Sequence, residues 1–241
     1  MTALGRRLVL ADAGEAADLA AFLGRLIHYD RAAAVRLQAG TAAVAVFGRP
    51  PSFEVLAVRT SRLAVGVAAG GGAGGRDGAD PGGTDELDVT VSAGELLEGI
   101  DEATGAVLVP RAVTGPPWAG VLPPRGGWRQ VPGLPGPDAM RAAVAAAVAE
   151  FRARDEALAP EDRTRAARDR IGREIWSRTL GDTELPLRAV HAAHSLGFLR
   201  PGADPAAVAL LSAAGWLRLR TPYGSVAVRR AGLGVLSVAP V

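Results

Sequence analysis

The 241-residue chain is long enough for a sizeable core, built as one large domain or two small ones. All 27 basic residues are Arg, with no Lys, Asn or Cys, and the net charge is only +2. The missing Cys excludes disulfides, iron–sulfur clusters, thiolate zinc sites and cysteine nucleophiles, and three His would leave any metal site leaning on carboxylates.

The first apolar run, Leu8–Leu10, is too short for a secretory or membrane-spanning segment. A soluble cytoplasmic protein is expected. Asp12-Ala13-Gly14-Glu15 has the spacing of a capping box. Behind it, Ala16, Leu19, Leu23, Leu26 and Ile27 recur at helical spacing up to Tyr29. Ala33–Gln38 and Thr41–Phe47 read as strands around an Ala39-Gly40 turn, and Phe53–Arg59 reads as a third strand. Residues 68–85 read as a mobile Gly-rich loop. Leu87–Val91 and Ala106–Val109 are further strands, with a short helix at Ala93–Ile100. The expectation for residues 1–114 is an α+β domain, an N-terminal helix plus an antiparallel meander.

Residues 115–137 are dense in Gly and Pro and are read as an irregular linker whose Trp118 and Trp128 pin it to a neighbouring surface. A ligand-gripping role for the Trp118–Trp128 loop stays open. Residues 138–241 are expected to form a helical domain. Its first helix, Asp138–Leu158, carries Met140, Val144, Ala147, Phe151 and Leu158 in a heptad-like stripe among many alanines, suited to core packing or to a dimer contact. Its few charges predict that it is largely buried. Between Asp138 and Glu184, nine Arg face ten acids, which reads as a solvated, self-compensated surface.

From Leu185 onward the balance changes: six Arg stand against Asp204 alone, a local +5 against −3 for everything before it. Leu185–Leu199 reads as a helix. Asp204 and Pro205 read as the start of a second helix, closed by Gly215. Leu217-Arg218-Leu219-Arg220 alternates like a half-buried strand, Thr221–Gly224 suits a tight turn, and Val226 and Val228 resume the inward face. Alternation places Arg218, Arg220 and Arg229 on one outward face. Residues 162–230 thereby follow the order of a winged-helix-like unit ending in a hairpin. Arg218, Arg220, Tyr223, Arg229 and Arg230 are the candidate nucleic-acid-binding residues. The expected recognition helix, Ala206–Ala214, has Ser212 as its only polar side chain and so cannot read base edges.

His191 and His194 lie at i, i+3 but lack a third ligand, and they read as packed or partly exposed histidines rather than a metal site. No nucleophile elbow, no phosphate loop and no G-x-G-x-x-G opening a helix after a strand occurs. No catalytic residue, metal or cofactor is assigned. His28–Gln38 (HYDRAAAVRLQ), Phe47–Leu56 (FGRPPSFEVL) and Trp216–Gly224 (WLRLRTPYG) together resemble an uncharacterised protein family restricted to actinobacteria. The resemblance spans most of the chain; it implies no activity and supplies no site residues. The leading expectation is a non-enzymatic protein that binds nucleic acid weakly and without sequence preference. Two alternatives stand beside it: a homodimeric interaction or scaffold module, disrupted by Val144→Glu, and a small-molecule binder or enzyme at the Trp118–Trp128 loop.

Overall fold

Asp12 opens the first helix as its spacing requires. Its carboxylate accepts the Glu15 amide at 2.9 Å, and α1 runs Ala13–Tyr29. Glu15 does not return to the cap; its carboxylate instead accepts from Arg59 at 2.7 Å and from Arg62 at 3.0 Å. These are features of a computed structural model that describes residues 6–64 and 87–230. The Gly-rich loop expected at 68–85 lies outside the described residues. The chain divides into two compact units, Met1–Ser52 with Leu56–Leu122, and Phe53–Val55 with Pro123–Val241.

In the first unit, β2 (Ala34–Ala39), β3 (Ala43–Gly48), β4 (Leu56–Arg62) and β5 (Leu87–Ser92) form an antiparallel sheet in the order β5-β2-β3-β4. Val35, Leu37, Val44 and Val46 alternate inward, and α1 supplies Ala16, Leu19, Phe22, Leu23 and Leu26 to the same core. The hairpin turn is Gly40–Ala42, one step beyond the expected Ala39-Gly40, with the Gly40 amide donating to the Ala43 carbonyl. The third strand begins at Leu56 rather than Phe53 because Ser52 and Glu54 hold φ of 71° and 53°, outside any strand conformation. Arg59 is only 5% exposed and is paired with Glu15 and with Asp18. A smaller sheet joins β1 (Arg7–Val9), β7 (Ala106–Leu108) and β6 (Ile100–Asp101), and α2 (Ala93–Glu98) starts on its Ser92 cap.

The second unit contains α3 (Pro137–Glu156), α4 (Arg165–Trp176) and α5 (Leu187–Ser195). Its strands are antiparallel in the order β11-β10-β9-β8, with β8 Arg129–Val131, β9 Ala209–Ala213, β10 Trp216–Thr221 and β11 Gly224–Arg229. Mixed α+β architecture, an N-terminal helix followed by a meander, and two domains are therefore all present.

Three local expectations are corrected. Ala206–Ala214 is not a recognition helix. Asp204 does cap, accepting the Ala206 amide at 2.9 Å, but only a 3₁₀ turn at Pro205–Ala207 follows before the chain extends into β9. Pairing on both sides, with β10 and with β8, outweighs alanine's helix preference there. Gly215 closes no helix. With Ala214 it forms a two-residue hairpin loop, both residues at positive φ (43° and 77°). The stretch 115–137 is likewise not wholly irregular, since Arg129–Val131 is the edge strand β8 and Pro117–Gly120 is a 3₁₀ turn. Finally, α3 is not largely buried: Pro137, Met140, Val144 and Ala147 face the core, while most of its other alanines are exposed. Val144 is a core residue at 3% exposure, so a glutamate there reports on that core and not on a subunit contact.

The charged run between α3 and α4 behaves as its balance implied. Arg178 forks onto Glu150 at 2.5 and 2.7 Å, Arg168 meets Asp155 at 2.8 Å, and Arg154 pairs with Glu174. Hydrogen bonding from Arg178 holds the Glu150 carboxyl below its ordinary range. These arginines are already engaged.

Candidate functional site

Period-2 alternation divides the second unit's sheet into two faces. Leu217, Leu219, Val226, Val228 and Leu210 are nearly inaccessible and form the helix-facing side, with α5 packed on β10 and β11. The register fixes what the other side carries. Trp216 stands opposite Arg229, Arg218 opposite Ala227, and Arg220 opposite Ser225. Across β9 and β8, Arg218 aligns with Leu211, and Leu211 with Gln130. Arg218, Arg220 and Arg229 therefore share one face. No carboxylate occurs in any of the four strands.

Two of the three guanidinium groups lie on indole rings. Arg229 sits 5.0 Å from the Trp216 ring centroid, and Arg218 sits 5.7 Å from that of Trp128. Arg218 also donates to the Ser225 hydroxyl at 2.8 Å. Trp128 is held in turn by its indole N–H, which donates to the Pro124 carbonyl at 3.0 Å. Burial, and secondarily the charge of Arg220, push the Arg218 guanidinium below its ordinary value, a cost that a bound anion would offset. Arg220 and Arg229 are exposed, and Arg218 is half-buried.

The other two sequence-predicted residues are placed differently. Arg230 reaches Glu184 at 2.5 Å and is neutralised there. Tyr223 lies beneath Arg200, 3.8 Å from guanidinium carbon to ring centroid, so its ring is covered rather than presented at the hairpin tip. Trp216 and Gln130 were not singled out from sequence. Trp216 was within reach of the same reasoning, because it begins the alternating run that contains Arg218 and Arg220. Gln130 was hidden by the irregular reading of its segment. Trp118 belongs to the first unit and Trp128 to the second.

His191 and His194 do not converge on a ligand set, and among the described residues no group of three or more His, Asp or Glu is placed to hold a metal. His191 is packed between Trp176, stacked at 4.3 Å, and Phe53, edge-on at 5.1 Å. Burial, then the charge of His194, lowers the His191 pKa. The unfolded chain holds this proton more tightly, with an ordinary value of about 6.5, so unfolding takes up a proton. Stability from this residue is complete above that range and declines as pH falls through it. In urea titrations, the wild-type midpoint is expected to fall more steeply between neutral and mildly acidic pH than that of His191→Phe. Parallel pH profiles would contradict this.

Residues 3–120 match the family model of a domain of unknown function, DUF8010, and residues 123–233 match that of a second, DUF8185. No curated protein and no solved structure matches the chain. The junction between the two matches falls where the first compact unit ends, at Leu122. Among the described residues, no helix is long and apolar enough to cross a membrane.

Proposed function

We propose that this chain, a tandem of the uncharacterised domains DUF8010 and DUF8185, is a non-enzymatic cytoplasmic protein. It binds nucleic acid weakly and without sequence preference through the sheet of its second domain. The observation that carries the reading is the grouping of Arg218, Arg220 and Arg229 on one face of four strands that hold no acid. Guanidinium groups supported on indoles present donors in fixed positions, which suits phosphate oxygens. With β9 in place of a recognition helix, the expected helix for base readout in a major groove is missing here. Arginine side chains beside indole rings suit a single strand better than a duplex.

Fluorescence anisotropy with a labelled oligothymidylate at stepped salt tests this. Affinity should fall linearly on a log–log plot, with a slope of about −2 for three phosphate contacts on a single strand. Binding that is absent, or indifferent to salt, removes the reading.

A second reading, a homodimer, rests on α3. Ala142, Ala146, Ala149 and Ala153 are all exposed and repeat at four- and three-residue intervals along one side of the helix. If this side pairs with a second copy, Ala146→Arg converts a dimer to a monomer in light scattering. A wild-type monomer across the measurable concentration range excludes it.

A further inference from the structure

The first unit holds a cleft of about 460 Å³ at one end of its sheet, within the roughly 300–1,000 Å³ usual for small-molecule sites. The register builds it. Ala34 stands opposite Ser92 on β5, and its neighbour Val35 stands opposite Gly48 on β3, so three strand ends meet there and Arg49 follows directly from β3. Ala32, Ala33 and Ala34 line it with nothing larger than a methyl group, which leaves the space open.

One wall is Trp118 and the segment leading to it. That segment is tied down at both ends. The Val113 amide donates to the Thr90 carbonyl at 2.9 Å. The Ala119 carbonyl accepts from Arg36, which also forks onto Asp88 at 2.7 Å through two nitrogens. The aromatic wall is therefore pre-organised rather than formed on binding.

The charges lining the cleft are separate. Arg36, Arg59 and Arg62 of the same unit are each engaged by a carboxylate. Arg49 has no hydrogen-bond or ion-pair partner among the described residues, and it is not paired with Asp30, although both line the cleft. Asp30 uses one carboxylate oxygen on the Ala32 amide at 2.9 Å. A cation and an anion held apart in one cleft, with an aromatic ring beside them, form the complement of a ligand with the same three features reversed.

We propose that this cleft binds a small zwitterion carrying a flat apolar group, of the class of an aromatic α-amino acid. Its carboxylate meets Arg49, its ammonium meets Asp30, and its flat group lies against Trp118. Ser92 and Thr114, which also line the cleft, add hydroxyls for the remaining donors and acceptors. The site is independent of the sheet face of the second unit and stands or falls separately.

The test is calorimetry on the full chain with L-phenylalanine as probe, alongside phenethylamine, which lacks the acid, and 3-phenylpropionate, which lacks the amine. L-phenylalanine should bind saturably and more tightly than either analogue. Arg49→Gln and Asp30→Asn should each weaken it roughly tenfold, the loss of one charge-assisted contact. Arg49→Gln should leave phenethylamine unchanged, and Asp30→Asn should leave 3-phenylpropionate unchanged. Both positions are exposed, and the side-chain amide introduced by Asp30→Asn keeps an oxygen that can accept from Ala32, so unfolding temperatures should not move. The proposal is overturned if L-phenylalanine does not bind, binds no better than the analogues, or binds equally to wild type and both variants.

Discussion

Replacing Arg218, Arg220 and Arg229 together by Gln should abolish measurable oligonucleotide binding while leaving the fold intact. All three side chains point away from the buried set Leu217, Leu219, Val226 and Val228, so little core packing is lost. What is lost is a cluster of like charge whose members are not cancelled by acids on their own sheet. The wild-type salt slope of about −2, corresponding to three single-strand phosphate contacts, should disappear with it. The control is a triple substitution at Arg154, Arg168 and Arg178, which removes the same formal charge from arginines already paired with Glu174, Asp155 and Glu150. If net charge alone drove association, the two triples would weaken binding equally. On the present account, only the sheet triple does. Arg230→Gln alone should change little, because Glu184 already neutralises that side chain.

Gly224→Ala is expected to be the most damaging single methyl addition in the second unit. Gly224 begins β11 directly after the Pro222-Tyr223 turn, with φ at 154°. That conformation is one L side chains rarely adopt. A Cβ there would also lie 2.5 to 2.7 Å from three ring carbons of Phe198, a side chain only 1% exposed and with nowhere to retreat. Backbone strain and overpacking each cost about 1–3 kcal/mol, so a loss near 3 kcal/mol and a drop in Tm of roughly 10 °C are expected. Gly126→Ala is the matched control, since its Cβ would meet no atom within 4 Å. Equal unfolding temperatures for the two variants would contradict the packing described for this hairpin.

Legibility in the sequence followed the range of the forces involved. The start of α1 was readable because Asp12 and Glu15 act within one turn, although Glu15 spends its carboxylate on Arg59 and Arg62, far away in sequence. The β10–β11 hairpin was readable because alternation and a Pro/Gly turn are local signals, and the register they imply brings Arg218, Arg220 and Arg229 to one face. Strand β9 was not readable. An alanine-rich run between Asp204-Pro205 and Gly215 fits a capped helix as well as it fits a strand, and only its partners on both sides decide. The same ambiguity affects glycine itself, since Gly215 suits a helix end and a two-residue hairpin loop equally. The fates of Tyr223 under Arg200 and of Arg230 on Glu184 depend on pairings that no spacing reveals. The charge cluster was thus visible as a sum. Which of its members remain available was not.

An NMR titration of the protein with oligothymidylate, following arginine Nε–H and tryptophan indole N–H resonances, locates the binding surface residue by residue. Saturable shifts are expected at Arg218, Arg220 and Arg229 and at the Trp128 and Trp216 indoles, with Arg154, Arg168 and Arg178 unmoved. Shifts centred on the α3–α4 arginines, or spread evenly over all of them, would contradict this.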